Sequence, residues 1–198
     1  MEKKLSRKFY LNDAVTVAKK LLGKALIHNS KQGVSACIIV ETEAYMGVND
    51  RASHSFKGRK TRRTMTLYGP PGTAYVYLIY GLHHMFNVVV GEEGNPMAVL
   101  IRSGKPYKGV ELMIKRRKLE KRNLVDLCKG PGNLTKALGI TVEENGVDLT
   151  GEKIYIADIG LKTVEIAASR RIGVDYAGED AEKKWRFYIK GSKYVSKK

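Results

Sequence analysis

No stretch of this 198-residue sequence is apolar for long enough to cross a bilayer. The longest apolar runs, such as those within 37–40 and 85–90, fall far short of the roughly 20 residues that a membrane helix needs. The opening MEKKLSRKF is basic but has no apolar region behind it, which argues against a secretory signal. Cysteine is nearly absent: Cys37 and Cys128 form no CxxC pair and frame no disulfide pattern. These absences place the chain in a reducing cytoplasm, where lone cysteines serve as small buried hydrophobes. A G-x-S-x-G elbow, a Walker phosphate loop and the H-x-E with P-C-x-x-C of zinc deaminases are all missing. With no repeat or low-complexity linker either, residues 1–198 are expected to form one domain with a substantial core.

Negative charge is also scarce. Asp and Glu number 20 against 36 Lys and Arg, leaving +16. Such an excess attracts polyanions and favours sequence-independent phosphate binding, although a solvated Lys-rich surface gives the same sum. The charge is clustered, at Lys57–Arg63 (KGRKTRR), at Lys115–Arg122 (KRRKLEKR) and near residue 198, with apolar segments between. That pattern fits a folded nucleic-acid binder better than a basic tail.

Apolar spacing in NDAVTVAKKLLGK predicts a helix over 12–24, capped by Asn12 or Asp13 and ended by Gly23. Strands are expected at 25–28 and 34–45 with the loop HNSKQG between them, then a long functional loop over 46–72. AYVYLIYGLHHMFNVVV (74–90) reads as a hairpin turning near Gly81, followed by a strand over Met97–Arg102. Helices are expected at 109–119 and 133–138, and short strands at KIYIAD, TVEIAAS and RFYIKG. Strands follow strands with few βαβ units, so the fold class is α+β: a single domain with a curved, mainly antiparallel sheet, several flanking helices and a protruding β-hairpin.

Chemistry concentrates in CIIVETEAY. Simple alternation puts Cys37, Ile39, Glu41, Glu43 and Tyr45 on one face and Ile38, Val40, Thr42 and Ala44 on the other. A carboxylate on the polyanion-facing side of a +16 protein needs a reason. It is an ion-pair partner of the abundant arginines, a general base, or a metal ligand. Glu41, Glu43, Asp50 and His54 are the one local set that could suit a metal. Arg102, closing the apolar strand MAVLIR, delivers a fixed guanidinium to a carboxylate or phosphate, or is an edge cation.

VETEAY followed by His54, GPPGTAYVYLIYG, FNVVV, AVLIR, LCKGPGNL and RFYIKG resemble, in that order, the alkyladenine (3-methyladenine) DNA glycosylases, over about Leu21 to Ser196. The resemblance implies a compact, monomeric, cytoplasmic, nucleoid-associated bacterial enzyme. It would flip 3-methyladenine, 7-methylguanine, hypoxanthine or ethenoadenine out of double-stranded DNA and hydrolyse the N-glycosidic bond without strand cleavage. It assigns Glu43 as the base that activates water and Arg102 as a group that places the water and a phosphate. Tyr45, His54, Tyr77 and Asn87 would form the base pocket, Asn87 excluding normal guanine by a clash with its amino group. Tyr80 would be the wedge that fills the gap in the DNA stack. Leu82, which stands where many members have Met, would contact DNA with Arg59, Arg63, Lys129 and Gly130. No metal, cofactor or membrane is implied. Glu41 has no assigned role and reads as structural, while Tyr75 is either core or a second layer behind Tyr77. A metal-dependent nuclease built on Glu41, Glu43, Asp50 and His54, or a non-catalytic nucleic-acid-binding protein, remains open from the residues alone.

Overall fold

The first two elements are an edge strand, β1 (Lys3–Lys4), and a single helical turn, α1 (Arg7–Tyr10). The computed structural model describes residues 2–119, 121–161 and 165–197, apart from the side chains of residues 121–123. The helix expected from apolar spacing is α2 (Ala14–Leu21), with Ala14, Val17, Ala18 and Leu21 buried. Asp13 is its cap, Oδ1 accepting the Thr16 amide at 3.0 Å. Next come β2 (Ala25–Ser30) and β3 (Gly33–Tyr45), which pair from Ala25↔Ile38 to Ser30↔Gly33. The loop expected at HNSKQG is therefore only a two-residue turn. Main-chain pairing needs no apolar side chain, so the ladder runs on through His28 and Asn29.

β4 (Ala74–Ile79), β5 (His83–Val90) and β6 (Met97–Lys108) form the next antiparallel run. After α3 (Val110–Arg117) and α4 (Pro131–Leu138) come β7 (Ile154–Asp158), β8 (Ile166–Ser169) and β9 (Arg186–Ile189). Thr163 and Val164 of the expected TVEIAAS strand lie outside the described residues, as do Glu120 and the side chains of Lys121 and Arg122 in the second basic cluster. The sheet runs β1-β7-β2-β3-β6-β5-β4, with β9 bridging β3 and β8, and its recorded pairings are antiparallel. With helices packed on it, this is the expected α+β architecture. The segment 46–72, read as a loop, contains 3-10 turns at Gly47–Asn49, Phe56–Gly58 and Met65–Tyr68.

One sequence expectation fails in an instructive way. The β3–β6 register slips between Ile39 and Glu41 and again between Glu41 and Thr42. An extra residue reverses the parity of everything after it. Cys37 and Ile39 lie in the main core, and so does Ala44, while Thr42 donates to the Ala18 carbonyl of α2 at 3.0 Å. Glu41, Glu43 and Tyr45 thus face away from Cys37 and Ile39, not with them. The same bend lets one edge of β3 serve two partners, β2 over residues 33–38 and β9 over residues 41–43. Apolar side chains of α2 and α4 close the core, where Phe86, Val99, Ile101, Leu134 and Leu138 are fully buried.

Candidate active site

Cross-strand register lines up Glu43, Leu100, Asn87 and Tyr75 across β3, β6, β5 and β4. Directly paired residues share a face, so this row stands on the side of the sheet away from the helical core. Tyr45, Tyr77, Met85 and Arg102 flank it, and all the row's members but Glu43 line a cavity of about 250 Å³. Three other segments wall it in: the long loop through Ser53 and His54, the hairpin tip through Tyr80 and His83, and the stretch from Ile172 to Tyr176. That volume is just below the usual small-molecule range of roughly 300–1,000 Å³, and the mainly apolar, aromatic lining with a few fixed polar groups is typical of such sites.

Glu43 is fully buried. Its Oε1 accepts the Ile172 amide at 2.8 Å and lies 3.3 Å from Arg102 Nη1. Its Oε2 accepts the Tyr45 hydroxyl at 2.9 Å. A carboxylate buried this deeply persists only with such donors around it. Arg102 is itself buried, which disfavours its charge, but Glu43 and Glu41 outweigh that and raise its pKa. The Tyr45 hydroxyl is pushed well up by burial and then by the Glu43 charge, so it remains a donor.

Three aromatic rings cluster opposite. His54 stands edge-on to Tyr77, centroids 4.7 Å apart, and its Nδ1 lies 2.9 Å from the Tyr75 hydroxyl. Burial, then the charges of Arg63 and Arg59, lowers the His54 pKa to about 4. The ring is therefore neutral near pH 7 and shares a hydrogen bond with the Tyr75 hydroxyl through Nδ1. Tyr75, 2% exposed, is both packed and part of the site, since it lines the cavity. Asn87 Nδ2 donates to the carbonyls of Tyr75 (3.1 Å) and Met85 (3.4 Å), fixing the amide in the wall.

At the hairpin tip Ile79 O accepts the Leu82 amide at 3.1 Å, and both residues between have positive φ, 53° for Tyr80 and 65° for Gly81. A turn with positive φ at both central residues normally takes Asn or Gly where Tyr80 stands. Tyr80 is 88% exposed and Leu82 71% exposed. An apolar side chain held out in water, at a backbone position that resists it, points to function over packing.

Arg59 and Arg63 line a second recess of about 340 Å³ with Arg51, Thr61 and Thr64, sharing Ser53, His54 and Tyr176 with the first cavity. The Arg63 guanidinium sits 4.4 Å from the Tyr77 ring centroid. Gly130, with φ 93°, precedes α4, and its amide donates to Ser103 Oγ at 2.7 Å. Lys129 lies 4.0 Å from Asp126. A side chain at Gly132 would meet the His83 ring at 2.8 Å, so this glycine lets α4 pack against the hairpin tip.

The four residues of the metal reading are not assembled. Asp50 is paired through both oxygens with Arg171, at 2.6 and 2.9 Å, and Glu41 is bonded to Arg102 and Arg186. Among the described residues no group of three His, Cys, Asp or Glu is placed to hold a metal ion. Arg102, Tyr45, His54, Tyr77, Asn87 and Tyr80 do line one cavity, and Glu43 stands behind that lining, in contact with Arg102 and Tyr45. Sequence reasoning missed the contribution of 171–176. Its Ile172 amide holds Glu43, and its Tyr176, 72% exposed, stands at the rim between the two recesses. The sequence hint was an exposed-type aromatic between two glycines, Gly173 and Gly178.

The family model described as methylpurine-DNA glycosylase matches residues 8–193. Relatives, each provisionally named a 3-methyladenine DNA glycosylase, match across nearly their whole lengths. One from Desulfitobacterium hafniense is 46% identical, covering 99% of this chain and all of the relative. One from Clostridium acetobutylicum is 47% identical, covering 98% and 97%. A third, from Bacillus cereus, is 44% identical, covering 96% and 97%.

Proposed function

Because the chain belongs to the methylpurine-DNA glycosylase family and is therefore a DNA glycosylase, we propose that it flips alkylated or deaminated purines out of duplex DNA and hydrolyses their N-glycosidic bond with Glu43 as the base. The class of base is 3-methyladenine, 7-methylguanine, hypoxanthine and ethenoadenine. The observation that carries this reading is a fully buried carboxylate, held by the Ile172 amide, the Tyr45 hydroxyl and Arg102, directly behind the lining of an aromatic cavity on a +16 protein.

A base inside the stack is out of reach, so the nucleotide rotates out at a cost of a few kcal/mol. The purine enters between Tyr77 and Tyr45, with His54 packed against it. Electron-poor or cationic purines gain most from these rings. Asn87, immobilised by its two bonds, rejects guanine by a clash with the exocyclic amino group. Tyr80 fills the emptied place in the stack, where a base–aromatic contact is worth roughly 1–3 kcal/mol. Arg59 and Arg63 in the cationic recess, with Leu82, Lys129 and Gly130, hold the adjoining backbone.

Glu43 takes a proton from water as the water oxygen bonds to the anomeric carbon. The C–N bond breaks, its electron pair leaves on the purine nitrogen, and an abasic site remains. The sugar carries positive charge in the transition state, so the nearby carboxylate also stabilises it electrostatically. Arg102 places the water and the neighbouring phosphate. Among the described residues the cavity lining includes no lysine, which supports a monofunctional enzyme with no imine intermediate. The protein acts as a monomer on the cytoplasmic nucleoid, its 1–198 span forming one catalytic domain.

The test is a product assay on duplexes that each carry one candidate lesion. Release of free purine with an intact, alkali-sensitive strand is expected. A borohydride-trapped protein–DNA adduct, or EDTA-sensitive cleavage with no free base, would contradict the reading.

A further inference from the structure

Arg102 is gripped from two sides. Its Nη1 lies 3.3 Å from Glu43, but its Nε donates to Glu41 Oε1 at 3.1 Å. Glu41 is fully buried and has no part in the chemistry described above. It nonetheless gathers further donors: Arg186 Nε to Oε1 at 2.7 Å, Ser196 Oγ to Oε1 at 2.8 Å, and the Ser196 amide to Oε2 at 2.6 Å. Arg186 is fixed in turn by Ser169 Oγ at 2.9 Å and by the Lys197 carbonyl. Strands β6 and β9 and Ser196 thus converge on one carboxylate of β3, with β8 and Lys197 holding Arg186 behind it.

A guanidinium facing a lone carboxylate closes the two-pronged pair that its planar fork favours. Paired that way, Arg102 would occupy the oxygens of Glu43 that water needs. We propose that Glu41, seated by Ser196 and Arg186, is a positioning residue that ties Arg102 through Nε and so limits it to a single long contact with Glu43. The inference rests on the reading of Glu43 as the base. It makes residues far along the chain, Arg186 and Ser196, contributors to rate and not to DNA affinity. The buried charge network is costly to assemble, and its retention is explained by the geometry it imposes.

The experiment uses Ser196→Ala, which removes one donor to Glu41, Ser196→Pro, which removes both, and Glu41→Gln. Each is measured for single-turnover release of hypoxanthine from a duplex, affinity for that duplex and melting temperature. A misplacement of about 1 Å costs up to about 100-fold. Ser196→Pro and Glu41→Gln are expected to slow release ten- to hundred-fold at unchanged affinity. Ser196→Ala is expected to show a smaller loss in the same direction. In a Glu43→Gln background Ser196→Pro is expected to add nothing further. Wild-type rates in folded Ser196→Ala and Ser196→Pro overturn the proposal, as does a loss carried by weaker binding or one that adds fully to Glu43→Gln. Should Glu41→Gln fail to fold, the two Ser196 variants decide alone. Full activity of Glu43→Gln itself brings down the Glu43 reading and this inference together, whereas an inactive Glu43→Gln beside unaffected Ser196 variants brings down only the inference.

Discussion

The Tyr45 hydroxyl donates to Oε2 of Glu43 at 2.9 Å, joining two residues that stand side by side on one face of β3. Burial first, and then the Glu43 charge, holds that hydroxyl protonated, so it is a permanent donor to the carboxylate. A hydrogen bond to a charged group is worth about 1.5–3 kcal/mol. Tyr45→Phe is therefore expected to slow base release at least about ten-fold while leaving affinity for lesion DNA nearly intact, because the stacking ring remains. Single-turnover rates set beside binding isotherms check this, and an unchanged rate would contradict it.

Tyr80, the proposed wedge, is placed at the expense of the fold. It is 88% exposed and has φ 53°, a conformation that costs a side-chain-bearing residue about 1–2 kcal/mol. Tyr80→Ser is expected to weaken lesion binding and flipping without lowering the melting temperature, and Tyr80→Gly to raise it slightly. Fluorescence from a 2-aminopurine beside the lesion reports the flipping. Unfolding of either variant would show that the ring packs against protein after all.

The Asp50–Arg171 pair, fully buried with oxygens and nitrogens 2.6 and 2.9 Å apart, anchors the segment that supplies the Ile172 amide. Breaking a buried pair costs about 3–5 kcal/mol because one charge is left uncompensated. Asp50→Ala is expected to lower stability in urea by about that amount and to reduce activity with it. A loss under about 1 kcal/mol would mean that the pair does not hold this segment.

Much of this architecture was legible, and the gaps have physical causes. Alternation and turn residues revealed the hairpin, the α2 helix and the run of antiparallel strands, since each is a local pattern. The bulge in β3 was not, because an extra residue leaves no mark on composition, and it reversed the facing of Cys37 and Ile39 relative to Glu43. Asp50 looked like a ligand until the fold brought Arg171 to it across 121 residues. Ile172 contributes a backbone amide, which no side-chain pattern records.

His54 gives the protein a pH signature. Its pKa falls from the ordinary 6.5 to about 4, from burial first and then from Arg63 and Arg59. The folded state therefore holds fewer protons on this ring than the unfolded state between those values. The His54 contribution to stability is complete above about pH 6.5 and is lost as pH falls toward 4. An NMR titration is expected to place the His54 ring midpoint near pH 4, and Arg63→Ala to move it upward. A midpoint at the ordinary value would mean that the ring is solvated.

The central claim is that Glu43 activates the water. The direct measurement is single-turnover release of hypoxanthine or 3-methyladenine from duplex DNA by the wild type and by Glu43→Gln, with lesion binding measured on the same preparations. Loss of release by several orders of magnitude with binding largely kept is the expected result. Release at the wild-type rate by a folded Glu43→Gln protein would contradict the account.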